Sequence, residues 1–231
     1  EGTNFTGSLL VGHSTSGTLS SAAYNTGVGL AALDALTSGD NNTSVGYLSG
    51  TGITTGSTNT LIGTQSGQLT TTSSNNTALG FKAGQTFNTN AHWNTCLGTN
   101  AGDAITSGSG NVIIGGQADV ASATGDHQLV ISGYDGSSTV SWITGDSSGN
   151  VTMPAEIAAA TLDISGAIDI DGTANLDTVD IDGAVQIDAA FTSGVDGQGY
   201  DTKFFGDTSS AYMLWDTSAD DLVFAGAAGI D

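Results

Sequence analysis

The sequence writes nearly the same nine residues again and again: NTSVGYLSG from Asn42, NTLIGTQSG from Asn59, NTALGFKAG from Asn76 and NTCLGTNAG from Asn94. Asn-led units start at Asn25, Asn42, Asn59, Asn76, Asn94 and Asn111, spaced 17, 17, 17, 18 and 17 residues apart. The fourth residue of each unit is aliphatic: Val28, Val45, Ile62, Leu79, Leu97, Ile114. The fifth is glycine throughout: Gly29, Gly46, Gly63, Gly80, Gly98, Gly115. The eighth is Ala or Ser. The ninth is glycine except at Leu33 and Asp119, and the twelfth is often apolar, with Thr70 and Ser122 breaking the rule. Weaker copies at Ser8 and Gln128 extend the pattern, so coils start near 8, 25, 42, 59, 76, 94, 111 and 128 within a repeat region of residues 1–133.

A fixed period this short is the mark of stacked coils. At about 3.3 Å per residue, 17 residues trace a closed loop of roughly 50 Å, with neighbouring coils about 4.8 Å apart. One coil buries too little alone, whereas a stack builds a continuous apolar column. The fifth-position glycine lets the chain turn through positive φ at the same corner of every coil. The leading Asn is placed to form an amide ladder, each copy bonding to the next. The aliphatic fourth position is expected to point inward, and the small eighth position to let another backbone approach. The single 18-residue unit carries its extra residue near His92 and Trp93. We read it as a corner insertion, the alternative being a bulge that pushes an aromatic outward as a contact point.

Composition agrees with strands and turns. Glycine supplies 35 residues, Pro154 is the only proline, the basic residues are Lys82 and Lys203 alone, and the glutamates are Glu1 and Glu156. Good helix formers are therefore scarce, while Gly, Thr, Ser and Asn disfavour helix interiors. The formal charge of -21 repels phosphate, which makes nucleic acid and anionic membrane poor partners, and no nucleic-acid partner is expected. No apolar run approaches the roughly 20 residues of a membrane span, so membrane insertion is not expected, and there is no signal-peptide pattern. The first residue is not Met, which reads as a processed or engineered chain or part of something longer. Cys96, the only cysteine, excludes an intrachain disulfide framework.

The units NTSVGYLSG, NTLIGTQSG, NTALGFKAG and NTCLGTNAG resemble the N-T-A-[VIL]-G-x-x-A-G repeats of phage tail-fibre and adhesin-like proteins. They also resemble the S-V-A-I-G repeats in the head of trimeric autotransporter adhesins. The resemblance covers about residues 8 to 132. It implies a left-handed parallel β-roll with three chains side by side, hence self as partner in a homotrimer. It further implies a structural and adhesive fibre of a virion, located outside the cell, joined to other fibre or baseplate proteins and touching a host surface glycan or protein. No receptor-binding residue is identified. The repeat unit is longer than that of the adhesin heads.

After Gly133 the pattern changes. Residues 134–160 read as a junction, with a short helical turn expected around Ala155 to Ala160. Residues 161–190 hold TLDISGAIDIDG and TVDIDGAVQIDA, again offset by 17, in which apolar residues alternate with Asp. Alternation of this kind is a half-buried strand pattern, and two copies cannot make a core alone. We read them as an intertwined, β-prism-like shaft, a segment that resembles the L-x-I-x-G repeats of phage fibre stalks. Asp163 then lies over Asp180 and Asp171 over Asp188. Such rows repel at strand spacing unless solvated and screened, or bridged by calcium. Neither calcium-loop spacing is present. Residues 191–231 carry three apolar bursts separated by GDTSS and DTSADD turns, which suggests a small β-meander with an aromatic core, incomplete at its C-terminus. The segment resembles an F-F-G-x-T-x-x-x-Y-M-x-W-D module of marine-phage fibre proteins. The fold expected overall is all-β.

Catalytic chemistry finds little support. His13, His92 and His127 share no repeat position, and no nucleophile elbow is present. One cysteine and scattered histidines offer no zinc site. Cys96 sits at the third position of its unit and reads as a buried small hydrophobe. The enzymatic rival is a polysaccharide depolymerase on a trimeric β-helix, which needs two carboxylates at a fixed separation. Uniform coils leave little material for its cleft, so no catalytic residue, no metal site and no cofactor are assigned, and the chain is not read as an enzyme. A bacterial cell-surface adhesin or filament subunit is the other rival. Trp142 and Trp215 sit in apolar strand patterns and are expected in a core, Trp93 less so. The triplets at Asn4, Asn41 and Asn75 match a glycosylation acceptor pattern but read as turn and ladder residues.

Overall fold

In a computed structural model the described residues are 5–12, 18–157, 164–165, 168, 170, 179, 181–194 and 200–226. They contain strands and turns and no helix. The chain divides into two compact units, Glu1–Leu162 and Asp163–Asp231.

The first unit is a parallel β-solenoid of about seven turns. Each coil contributes one three-residue strand at positions two to four of the repeat: β2 (Leu9–Val11), β4 (Thr26–Val28), β5 (Thr43–Val45), β6 (Thr60–Ile62), β7 (Thr77–Leu79), β8 (Thr95–Leu97) and β9 (Val112–Ile114). They pair in strict order, Thr26 on Thr43, Thr43 on Thr60, Thr60 on Thr77 and Thr77 on Thr95, and β9 pairs in turn with β10 (Leu129–Tyr134). Two shorter strands, β1 (Phe5–Thr6) and β3 (Ala22–Ala23), form a separate parallel pair. The sheet runs on past residue 133. After β10 the chain reverses into β11 (Thr139–Gly145) and then β12 (Val151–Thr152), both antiparallel, so the last coil is followed by strands of opposite sense. The helical turn expected near Ala155 is absent over residues 155–157; its remainder lies outside the described residues.

The corners follow from backbone geometry. Gly29, Gly46, Gly63, Gly80, Gly98 and Gly115 have φ between 130° and 143°. A Cβ on Gly63 would also lie 2.2 Å from the carbonyl oxygen of Gly80 in the next coil. Glycine is needed twice over, for the turn and for the close approach of the stacked backbone. The residue before each leading Asn is left-handed as well, at Tyr24, Asn41, Thr58, Asn75, Trp93 and Gly110, and so is His127 before Gln128.

The interior is built by the third position, and this corrects the expectation that the fourth points inward. Leu61, Ala78, Cys96 and Ile113 are fully buried, whereas Leu79 and Leu97 are 45% and 44% exposed. A strand sends alternate side chains to opposite faces. Once position three faces the core, positions two and four must face out. The core is completed by the eighth and twelfth positions, among them Ala32, Ala83, Ala101, Leu36, Ile53, Phe87 and Ile105. The extra residue of the long unit falls within Thr89–Asn90, just before His92 and Trp93. Asn88 still bonds Thr106, 18 residues on, while Asn94 already bonds Gly108 as Asn76 bonds Ala91.

The second unit contains an antiparallel sheet of β13 (Thr202–Phe205), β14 (Tyr212–Asp216) and β15 (Asp221–Ala225). Ala211 and Leu214 are buried there, but Phe204, Phe205 and Trp215 are exposed, contrary to the aromatic core expected. Lys203 holds its Nζ 4.3 Å from the centre of the Tyr212 ring. Asp163, Asp171 and Asp180 of the expected stacked carboxylate rows lie outside the described residues. Those of 161–190 that are described form no strand, and Ile181, Val185 and Ile187 are exposed.

Candidate functional site

The scaffold under every surface feature is a hydrogen-bonded file of side-chain amides. Asn42 Nδ2 donates to Asn25 Oδ1 at 3.0 Å, Asn59 to Asn42 at 3.0 Å, Asn76 to Asn59 at 3.1 Å, Asn94 to Asn76 at 3.1 Å and Asn111 to Asn94 at 3.0 Å. Each Oδ1 also accepts the backbone N–H of the next Asn. The second Nδ2 proton goes to a carbonyl of the Asn's own coil, as from Asn59 to Ser73. All six are fully buried and fully satisfied, which is what makes a buried amide stabilising rather than costly. The file is closed at its ends by other residue types. Ser8 Oγ accepts from the Asn25 N–H, and Gln128 folds back on the preceding coil, its Nε2 donating to the Ser122 and Gly125 carbonyls.

A second file went unread in the sequence. Asp40, Ser57, Ser74, His92, Ser109 and Asp126 each accept a backbone N–H from the coil before. His92 does so through Nδ1, 2.9 Å from the Ser74 nitrogen, so a neutral ring carries its proton on Nε2. Only a common role as acceptor unites these residue types, which is why no motif exposed them. The sites at Asn41 and Asn75 are left-handed corners, and Asn42 and Asn76 belong to the amide file.

Two surfaces stand out on this scaffold. The first is the outward face of the parallel sheet. It carries one row of threonines, Thr26, Thr43, Thr60, Thr77 and Thr95, beside one row of aliphatics, Val28, Val45, Ile62, Leu79, Leu97 and Ile114. At about 4.8 Å per coil and 3.3 Å per residue the face measures roughly 35 Å by 10 Å. Leu30, Tyr47 and Phe81, exposed at the adjoining corner, widen its apolar part. No Asp or Glu lies in either row.

The second is a pocket of about 410 Å³ beside the β10–β11 hairpin, lined by Gly133, Tyr134, Asp135, Ser138, Val140 and Trp142. Pairing shifts here, Ile131 facing Ile143 while Ser132 faces Ser141, so Trp142 is an extra residue in a bulge. Trp142 is 59% exposed, which corrects the expectation that it belongs to a core. Its ring lies against Gly133, where a Cβ would come 2.6 Å from Cζ2. The Asp135 carboxylate caps the turn: its Oδ1 accepts from the N–H groups of Ser137 and Ser138, both at 2.8 Å. Those bonds hold its pKa below the usual carboxylate range, so it is ionised at neutral pH.

Elsewhere the titratable groups serve packing. Cys96 is fully buried, and burial pushes its thiol well up from the ordinary value, so it is no nucleophile. Asp119, one of the two departures from ninth-position glycine, is raised to about 6, chiefly by burial and further by the Asp103 charge, against the lowering effect of the Val120 and Ala104 N–H bonds. His13 lies outside the described residues, and among them no three His, Cys, Asp or Glu side chains gather as a metal site. Among the same residues no helix is long and apolar enough to cross a membrane. No protein-family model, curated protein or solved structure matches the chain.

Proposed function

We propose that this chain is a structural and adhesive fibre protein of a phage virion, working outside the cell as a homotrimer that attaches the particle to a host surface. The observation that carries the reading is the outward sheet face. A protein that meets water on this side gains nothing from an aliphatic residue at the fourth position of every coil, and a contiguous apolar row, widened by Leu30, Tyr47 and Phe81, is the kind of surface that a partner covers. Three copies that turn these faces to a common axis bury the aliphatic rows. The iterated N-T-x-[VIL]-G units resemble fibre and adhesin repeats in the same sense. Three-fold assembly then makes attachment multivalent, so weak contacts to a host glycan or protein add up to firm adhesion. Other fibre or baseplate proteins of the particle are the remaining partners of this reading.

Sedimentation equilibrium of the whole chain, paired with the Leu79→Asp/Leu97→Asp variant, tests it. The expected result is a trimer that falls to monomers in the variant with its strand content intact. A monomeric parent protein, or release of reducing ends from host polysaccharide by the intact chain, overturns the reading.

A further inference from the structure

We propose that Tyr134, Asp135 and Trp142 form a saccharide-binding platform for a neutral or amino hexopyranose. This rests on the adhesive reading above and gives it a contact site. Both aromatic rings are seated on glycine. Trp142 lies against Gly133, and Tyr134 lies over Gly116, where a Cβ would come 3.6 Å from its own Cβ. Neither glycine has positive φ, so the backbone does not require them; room for the indole does require Gly133, whereas a Cβ at Gly116 would meet Tyr134 only at ordinary contact distance. Gly116 also occupies the repeat position filled elsewhere by Leu30, Tyr47, Thr64, Phe81 and Thr99. The bulge that releases Trp142 from pairing is the device by which sheets re-aim a side chain at a binding site. The indole also borders a second pocket of about 350 Å³, lined by Ile143, Met153, Ala155, Glu156 and Ile157.

The chemistry suits a sugar. A pyranose offers a flat face of C–H groups to an aromatic ring and a rim of hydroxyls to polar groups. Asp135 spends Oδ1 on the turn, while Oδ2 has only the long 3.4 Å contact from Ser138 Oγ, so it is available to a hydroxyl or an ammonium as a charge-assisted acceptor. An indole already seated against Gly133 loses little freedom on binding. Acidic sugars are disfavoured because the formal charge is -21 and the chain has no arginine.

Saturation-transfer NMR of the intact chain with methyl β-D-glucopyranoside, glucosamine or galacturonic acid tests the site. We expect transfer to the ring C–H protons of the first two and none to the third. Trp142→Ala lowers affinity at least about tenfold, Trp93→Ala leaves it unchanged, and Asp135→Asn weakens glucosamine more than the neutral glucoside. Trp142 is exposed, so strand content by circular dichroism stays at the parent level; should Trp142→Ala misfold, Asp135→Asn decides alone. Absence of transfer from both favoured sugars, equal transfer in Trp142→Ala, equal losses for the two sugars in Asp135→Asn, or equal binding of galacturonic acid overturns the site. Sedimentation of the same samples keeps the two readings apart: a trimer without sugar binding removes this site only, and a sugar-binding monomer removes the fibre assembly only.

Discussion

The amide of Asn76 has no spare capacity. Its two Nδ2 protons go to Asn59 Oδ1 and the Ala91 carbonyl, and its Oδ1 takes both the N–H and the Nδ2 of Asn94. Asn76→Ala therefore strands groups on two neighbouring coils and one carbonyl of its own, where burial admits no water. We expect a loss of about 3 kcal/mol or more in unfolding free energy by denaturant titration, against near-neutrality for Asn150→Ala in an exposed turn. Asn76→Asp is expected to be worse at neutral pH, since a carboxylate has no proton to offer Asn59 Oδ1. A different residue sets a pH dependence. The folded value of Asp119, about 6, lies above its ordinary 3.8, so folding favours the protonated form. The stability this adds is complete below about pH 4 and is lost as pH climbs through 6. Hydrogen exchange at the Ala104 amide, which donates to Asp119 Oδ2 at 3.1 Å, is expected to lose protection over that window once corrected for intrinsic rate. In Asp119→Asn the loss disappears.

At the scale of the coil, the period and the register were legible because position in the repeat is position in space: a residue and its copy one period on are direct neighbours. The inward face was not legible. Position three holds Gly27, Ser44, Leu61, Ala78, Cys96 and Ile113, a set too mixed to read as core, while position four is uniformly aliphatic and faces out. The mixture has a reason in packing. Position three is balanced by position twelve of the same coil, nine residues away: Leu61 with Thr70, Ala78 with Phe87, Ser44 with Ile53, Cys96 with Ile105. Both side chains converge on the ninth-position glycine, where a Cβ on Gly67 would meet Leu61 at 2.6 Å and Thr70 Oγ1 at 3.1 Å. Where position three is Gly27, Leu33 takes the ninth position and its Cδ1 comes within 3.4 Å of the missing Cβ. Thr70 thus stops being an exception: it is the small partner of a large third-position residue, whereas Ser122, in the last coil, is exposed. Thr70 Oγ1 is buried without a hydrogen-bond partner. Thr70→Val keeps the shape and removes that orphan, so we expect it to raise stability by about 1 kcal/mol. Leu61→Ala is expected to cost about 3 kcal/mol, and Leu61→Ala with Thr70→Phe, which copies the Ala78/Phe87 arrangement, to recover more than half of it. The Trp142 pocket escaped sequence reading for a related reason. An aromatic in an apolar strand pattern reads as core, and nothing in SWIT signals the bulge that turns the ring out.

For the molecule as a whole, two long-range facts oppose each other. The aliphatic row on the sheet face favours association of copies, and a formal charge of -21 with two cations resists it. Bringing three copies together triples the charge while the apolar gain per copy stays fixed, so in the trimeric reading the electrostatic penalty grows faster than the contact that offsets it. Salt screens the first without weakening the second; at 0.15 M the screening length is about 8 Å, comparable to the spacing of two coils. We therefore expect the midpoint protein concentration for trimer dissociation to fall steeply as sodium chloride rises from about 0.01 M to 0.15 M. The melting temperature should become more concentration-dependent at the low end, because association is then the weaker link. Calcium at matched ionic strength separates screening from bridging. If carboxylates across the three copies only repel, calcium and sodium give the same midpoint. A markedly lower midpoint in calcium means that the Asp-rich stretches hold the ion between chains. A salt-independent midpoint, or one that rises with salt, means that the aliphatic row is not the surface through which the copies meet.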